Sequence, residues 1–253
     1  MHEPHPDDSS VVEARGLGFE DQYVGCEGWE ARYGRQEVSQ FRGAELIAER
    51  WGISREAMEV YSLESHRRAL TAQTEGRFMA ECIPVGDFRA DETVRADSTP
   101  ERMAGLATLR PGGAGDGGRR KSDLRWRGGR ARLLGRRCEA LQSRAARPHP
   151  SAPIPASRRA LQKAGLRIGD IDRFEVNEAF APAPIAWTQE LEADPDKVNV
   201  SGGAIALGHP LGATGARLMT TLLHELERVG GRYGSQTMCE AGGQANVTII
   251  ERL

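Results

Sequence analysis

The chain has 253 residues, of which 39% are apolar, and a formal net charge of −2. That length allows one large domain or two small ones, and the near-neutral balance marks neither a nucleic-acid-binding nor a membrane-binding protein. Four cysteines, Cys26, Cys82, Cys138 and Cys239, stand far apart with no Cys-x-x-Cys pair, which argues against a metal site or a disulfide framework and fits a reducing cytoplasm. No apolar run approaches the ~20 residues of a membrane span. The first ten residues are polar, without the apolar core of a secretory leader. A soluble, cytoplasmic protein is expected.

Residues 1–12 read as a polar tail. Residues 13–41 carry Phe19, Tyr23, Trp29, Tyr33 and Phe41 without a clear period and read as an irregular loop. A helix is expected from Ala44 to Trp51, with Leu46, Ile47, Arg50 and Trp51 on one side and Gly52 as its stop. Ser54 caps a second helix from Arg55 to about Glu75, with Met58, Tyr61, Ser65 and Ala69 at helical spacing. Glu81–Val85 reads as a short strand broken by Pro84, and Asp87–Arg102 as polar loop.

Pro153 restores ordinary globular texture. Ile154–Gly165 is a helix with a glycine stop, and Arg173–Val176 a strand. Glu178 to Leu191 is helical, with Pro182 and Pro184 confining regular hydrogen bonding to its later part. Lys197–Val200 is a strand. Gly212–Val229 is a helix with Ala216, Met219, Thr220, Leu223 and Leu226 along one face. Tyr233–Cys239 and Ala245–Glu251 are strands around a Gly242-Gly243 turn. Alternating strands and helices define an α/β layered domain.

Between these regions lies a segment of different character, residues 111–150. A glycine-rich run, Pro111 to Gly118, leads into a stretch from Arg119 to Arg147 where ten arginines and one lysine face two acids, Asp123 and Glu139. A nucleic-acid-binding arm is one reading. A solvated linker is another.

Three loops carry chemistry. Asn177-Glu178-Ala179-Phe180 follows a strand, where an amide can hold a water or serve an oxyanion; the plainer reading is a helix cap. Gly208-His209-Pro210 places an imidazole in a glycine-rich turn, where it can exchange a proton with a thiol; the plainer reading is a structural histidine. Cys239-Glu240-Ala241-Gly242-Gly243 places a thiol at a strand end, where it can shuttle protons if its pKa falls; the plainer reading is a small buried apolar group.

Each loop alone is weak, but their order and spacing together are specific. Asn-Glu-Ala-Phe at 177–180, Gly-Gly-Ala-Ile-Ala-Leu-Gly-His-Pro at 202–210 and Cys-Glu-x-Gly-Gly at 239–243 resemble the C-terminal half of the thiolase family over residues 151–253. A looser resemblance covers residues 30–110. The resemblance implies a thiolase-like layered α-β-α fold, comprising the C-terminal half and part of the middle region. It divides the chain into 1–110, the arginine-rich 111–150, and 151–253.

The resemblance also implies an acyltransferase that cleaves a 3-ketoacyl-CoA with CoA, or runs the reverse Claisen condensation. His209 would activate a thiol, Cys239 would move the proton at the reacting carbon, and Asn177 would position a water of an oxyanion hole. Phe180 and Gly243 would line the substrate pocket. No metal or cofactor is implied, since CoA is a substrate. The partners are acyl-CoA and CoA, without nucleic acid or membrane, in a family that forms homo-oligomers.

Three departures from the family set the expectation of an impaired chain, with a non-catalytic remnant or an acyl-CoA- or partner-binding module as the alternative. The family's nucleophilic cysteine sits in an N-terminal half, in a Cys-x-Ser/Gly context after a strand; Cys26, in Val-Gly-Cys-Glu-Gly-Trp, aligns instead with the irregular middle region and is preceded by only 25 residues, and Cys82 and Cys138 are no better placed. Ala241 stands where the family usually has glycine. The arginine-rich stretch lacks the expected pattern, and a shifted reading frame is favoured over the arm and the linker. Back-translating Arg120–Arg127 with suitable codons and reading one base later gives Ala-Ser-Gln-Ile-Cys-Asp-Gly, as thiolases carry there.

Overall fold

A computed structural model describes residues 16, 27–34, 39–87, 91–106, 139–140, 143–144, 151–240 and 243–253. The polar tail, Cys26, Cys138, Ala241 and most of the arginine-rich stretch lie outside these. The chain divides into two compact units, residues 1–42 and 43–253. In the first, Glu27–Tyr33 forms a helix, α1, with Glu27 and Glu30 in its first turn, where a helix's positive end favours them. The loop expected over 13–41 therefore contains a helix.

The second unit begins within α2 (Gln40–Trp51). Its buried stripe is Ala44, Ile47 and Ala48; of the face expected, Ile47 is buried, Leu46 and Trp51 are half-buried and Arg50 is exposed. Gly52 takes φ +62 and stops the helix, a left-handed step that glycine makes without steric penalty. In α3 (Arg55–Thr74), the Ser54 side chain accepts from the Ala57 N–H. Helix α3 buries Met58, Ser62, Ser65, His66, Ala69 and Ala72.

Two expectations fail after α3. Residues 81–85 form no strand: Ile83 and Val85 are exposed. Pro84 removes a ladder donor, and within the segment Val85 alone forms a bridge. Residues Pro100–Ala104 form a short helix, α4, capped by the Thr99 hydroxyl, within and just beyond what reads as loop.

A single mixed sheet organises the rest. Its strands are β1 (Glu139–Ala140), β2 (Ser143–Arg144), β3 (Arg173–Val176), β4 (Tyr233–Glu240) and β5 (Gln244–Glu251). The order is β1-β5-β4-β3, with β2 also on β5. β3 and β4 run parallel, while β5 runs antiparallel to β4, β1 and β2. The strand expected over 197–200 reduces to one bridge between Phe174 and Val198. Asn199 adopts φ +47 there, a left-handed step that ends an extended run.

Helices cover both faces, giving the layered α/β fold. On one face lie α5 (Pro153–Ala164) and α6 (Pro182–Leu191). Ile154, Leu161, Phe174, Val176, Ala186 and Trp187 form one core there with Ile47 and Met58. Phe174 meets Trp187 edge-on at 5.2 Å, and the Trp187 indole N–H donates to Ser157 Oγ at 2.9 Å. Helix α6 starts at Pro182, not at Glu178, because the proline supplies the first turn and ends the preceding loop.

On the other face lies α8 (Thr214–Val229), after a short α7 (Ala204–Leu207). Leu218, Leu222 and Leu226 are fully buried, whereas Ala216 is exposed and Met219 and Leu223 are half-buried. The stripe chosen from the sequence is thus rotated by about a residue from the true one. Gly234 lets α8 sit close, since a Cβ there would stand 2.8 Å from Leu226.

Candidate active site

The site grows from the carboxyl ends of β3 and β4. The Asn177 N–H donates to Thr237 O at 2.9 Å, extending the ladder one residue past β3. Thr237 pairs with Val176, and Cys239 pairs with Ala245 on β5. Asn177 and Cys239 therefore leave the same end of the parallel pair, where open α/β sheets place their ligands. Cys239 is half-exposed and not in a disulfide.

Glu178 is the hub that fixes the loops above this edge, and the sequence reading assigned it no role. Its carboxylate is buried and accepts four hydrogen bonds. The Tyr61 hydroxyl and the Asn199 amide donate to Oε1 at 2.9 and 3.0 Å, and the Ser65 hydroxyl and the Ile205 N–H donate to Oε2 at 2.8 and 3.0 Å. Burial, and next the Glu178 charge, push the Tyr61 phenol well above its usual pKa, so it stays a donor. Gly203 lies against this carboxylate: a Cβ there would stand 2.2 Å from its carbon. At Gly202 (φ +78) a Cβ would stand 2.7 Å from both Ala69 Cβ and Ser65 O. The glycine pair is needed because α3 and Glu178 close on it from two sides.

Asn199 locks the edge of β3. Its Oδ1 accepts from the Val176 N–H at 2.8 Å, and its Nδ2 donates to Val176 O at 2.8 Å. The glycine pair and the odd asparagine before it were the available signals for this clamp. Neither spacing nor composition names the carboxylate they serve.

Gly208, at φ 85 and ψ 165, turns the chain from α7 into His209. His209 Nδ1 lies 2.7 Å from Thr214 Oγ1, and its Nε2 lies 3.5 Å from Asn177 Nδ2. The structure thus brings His209 and Asn177 together and sets Cys239 at the same sheet edge. Asn177 Oδ1 is buried and accepts no hydrogen bond among the described residues. Phe180 is buried in the β3–α6 loop. Gly243, at φ +71, is buried in the turn that starts β5.

Among the described residues, the other cysteine is Cys82, which is exposed. Partial desolvation of its sulfur by neighbouring groups, and then the charges of Glu81 and Asp91, push its thiol up, which lowers its thiolate fraction. No group of three or more His, Cys, Asp or Glu among the described residues could hold a metal ion. No described helix is long and apolar enough to cross a membrane.

The layered α/β domain thus carries an imidazole and an amide at the carboxyl end of its parallel strands, with a thiol at the same sheet edge. Residues 137–252 match the thiolase C-terminal domain, and residues 37–116 match the thiolase N-terminal domain. The chain is 52% identical to the steroid 3-ketoacyl-CoA thiolase FadA6 of Mycobacterium tuberculosis, over 98% of this chain and 65% of that protein. It is 38% identical to the cytosolic acetyl-CoA acetyltransferase of Rattus norvegicus, over 83% of this chain and 59% of that protein. The human mitochondrial 3-ketoacyl-CoA thiolase in complex with CoA superposes with a TM-score of 0.73 at 34% identity, covering 83% of this chain and 58% of that one.

The chain belongs to the thiolase family. It spans about three-fifths of the length of these relatives. Residues 117–136 fall outside both family matches, within the arginine-rich stretch, whereas 137–147 fall inside the C-terminal match.

Proposed function

We propose that this chain carries the histidine–asparagine–cysteine part of a thiolase-type acyltransferase site and acts on a 3-ketoacyl-CoA with CoA. The observation that carries the reading is the meeting of His209 and Asn177 at the strand end that also presents Cys239. The degradative direction runs as follows. A nucleophilic thiolate from a cysteine other than Cys239 adds to the 3-keto carbon, the C2–C3 bond breaks, and the Cys239 thiol gives its proton to C2 of the departing acetyl-CoA. The acyl group, now a thioester, passes to CoA as His209 Nε2 takes the proton of the CoA thiol, the nucleophilic thiolate leaves, and that proton returns to the Cys239 thiolate. In this scheme Asn177 Oδ1 accepts from a water that donates to the oxyanion. CoA is a substrate in this scheme, and no cofactor enters it.

The 52% identity to a steroid 3-ketoacyl-CoA thiolase favours a steroid-derived acyl-CoA over a straight chain, in a β-oxidation-type degradation, and the cytosolic relative from Rattus norvegicus supports a cytoplasmic setting. A second reading is acyl-CoA binding without turnover, since the described cysteines are Cys82 and Cys239 and neither stands in a Cys-x-Ser/Gly context. The test is a thiolysis assay on the purified chain with CoA and a panel of steroid-derived and straight-chain 3-ketoacyl-CoAs. Acetyl-CoA release that disappears in Cys239→Ala and His209→Ala supports the acyltransferase. Saturable binding with no release supports the second reading, and neither binding nor release removes both.

A further inference from the structure

We propose that Thr214 is a positioning residue that fixes His209 in its Nδ1–H tautomer and, through it, sets which way the Asn177 amide faces. The inference starts from one proton. A threonine hydroxyl has a single proton to donate and lone pairs to accept with. Thr214 Oγ1 has two close neighbours: Pro210 O at 2.8 Å and His209 Nδ1 at 2.7 Å.

Pro210 O is a carbonyl and can only accept. Were the hydroxyl proton turned to Nδ1, two oxygens would face each other at 2.8 Å with no proton between them. The proton therefore lies on the Pro210 side, Thr214 Oγ1 presents a lone pair to the ring, and Nδ1 is the protonated nitrogen. In a neutral imidazole the other nitrogen is then the acceptor.

That acceptor, Nε2, faces Asn177 Nδ2 at 3.5 Å. An acceptor draws the NH2 end of the amide towards it. Asn177 Oδ1 then points away, buried and accepting nothing among the described residues, which is the oxygen the proposed oxyanion water needs. The order of control runs from Pro210 O through the Thr214 hydroxyl and the His209 ring to the Asn177 amide. Thr214 is itself fully buried at the start of α8, and its N–H also donates to Pro210 O at 2.9 Å, which keeps that carbonyl beside the hydroxyl. A proton gained at Nε2 leaves the Nδ1–H···Oγ1 bond unbroken, so the ring keeps its orientation while it works as a base.

The inference rests on the acyltransferase reading only for the use made of Nε2; the tautomer is observable whether or not the chain turns over. The experiment is a long-range 1H–15N correlation spectrum of the 15N-labelled full chain above the ordinary imidazole pKa, with the His209 ring assigned by its loss in His209→Asn. The expected result is a protonated-type shift at Nδ1 and an unprotonated-type shift at Nε2. In Thr214→Val the pattern shifts towards Nε2–H, and Thr214→Ser restores it. A wild-type spectrum with the proton on Nε2, or a Thr214→Val spectrum identical to wild type, overturns the proposal. If Thr214→Val does not fold, the wild-type spectrum alone decides. In a chain that turns over, Thr214→Val lowers kcat with KM held, and Thr214→Ser recovers it.

Discussion

Two buried polar clusters in the larger unit are built to opposite standards. Around Glu178, four donors from α3, the Asn199 loop and α7 meet four lone pairs of one carboxylate. Beneath α8, the three guanidinium nitrogens of Arg217, Oε2 of Glu175 and Oε1 of Gln236 are buried with no hydrogen-bond partner among the described residues. Glu175 and Gln236 stand side by side on β3 and β4, and α8 covers that face. A saturated carboxylate fixes geometry, whereas unmatched buried charges give little net stability. The chain invests its polar order in the loops that carry His209 and Asn177, and not in the layer beneath α8.

The largest expected effect comes from breaking the saturated cluster. Glu178→Ala leaves four buried donors facing no acceptor and should destabilise the fold by about 3–5 kcal/mol, read as a shift in denaturation midpoint. A change below about 0.5 kcal/mol would deny Glu178 its role as hub. Gly203→Ala comes next: its new Cβ must displace the Glu178 carboxylate, at an expected cost of about 1–3 kcal/mol. An unchanged melting temperature there would show that the carboxylate yields freely.

The unmatched cluster should respond in the opposite sense. Arg217→Met removes a buried charge and keeps most of the packing, and should leave stability unchanged or raise it by about 1 kcal/mol. A loss as large as that of Glu178→Ala would erase the contrast between the clusters. The smallest effect is in pH. Burial pushes the Glu175 carboxyl well above its usual range, against the lowering pull of Arg217. The folded state then keeps a proton that the unfolded state releases near its usual value of about 4.3. Stability from this group is fully present below that value and falls as pH rises through the raised folded pKa. Glu175→Gln should flatten that fall in a pH series of denaturation curves, and a steeper fall would reverse the sign.

The helices and strands of 151–253 were legible because their ends carry strong local signals. Gly165 stops its helix and Val229 ends α8 as expected, and β3 spans the Arg173–Val176 expected of it. The strand at 197–200 was misread because apolar residues around Asn199 look extended until its left-handed φ is known. The stripe of α8 was misread because two half-exposed residues, Met219 and Leu223, are as apolar as the leucines that are buried.

Of the site, His209, Asn177 and Cys239 were legible from three loops in sequence order. Glu178, Tyr61 and Ser65 were not. A saturated carboxylate is a property of contacts between residues more than a hundred positions apart, and no local pattern records them. Thr214 escaped for a similar reason, since its hydroxyl gains meaning only from where the His209 ring stands.

The central claim is that Asn177, His209 and Cys239 border one acyl-CoA site. Alkylation of the native chain by iodoacetamide, mapped peptide by peptide with and without acetyl-CoA, tests it without requiring turnover. Acetyl-CoA at ten times its dissociation constant should slow labelling of Cys239 by about tenfold and leave the exposed Cys82 unchanged. Equal labelling of Cys239 with and without saturating acetyl-CoA would contradict the claim.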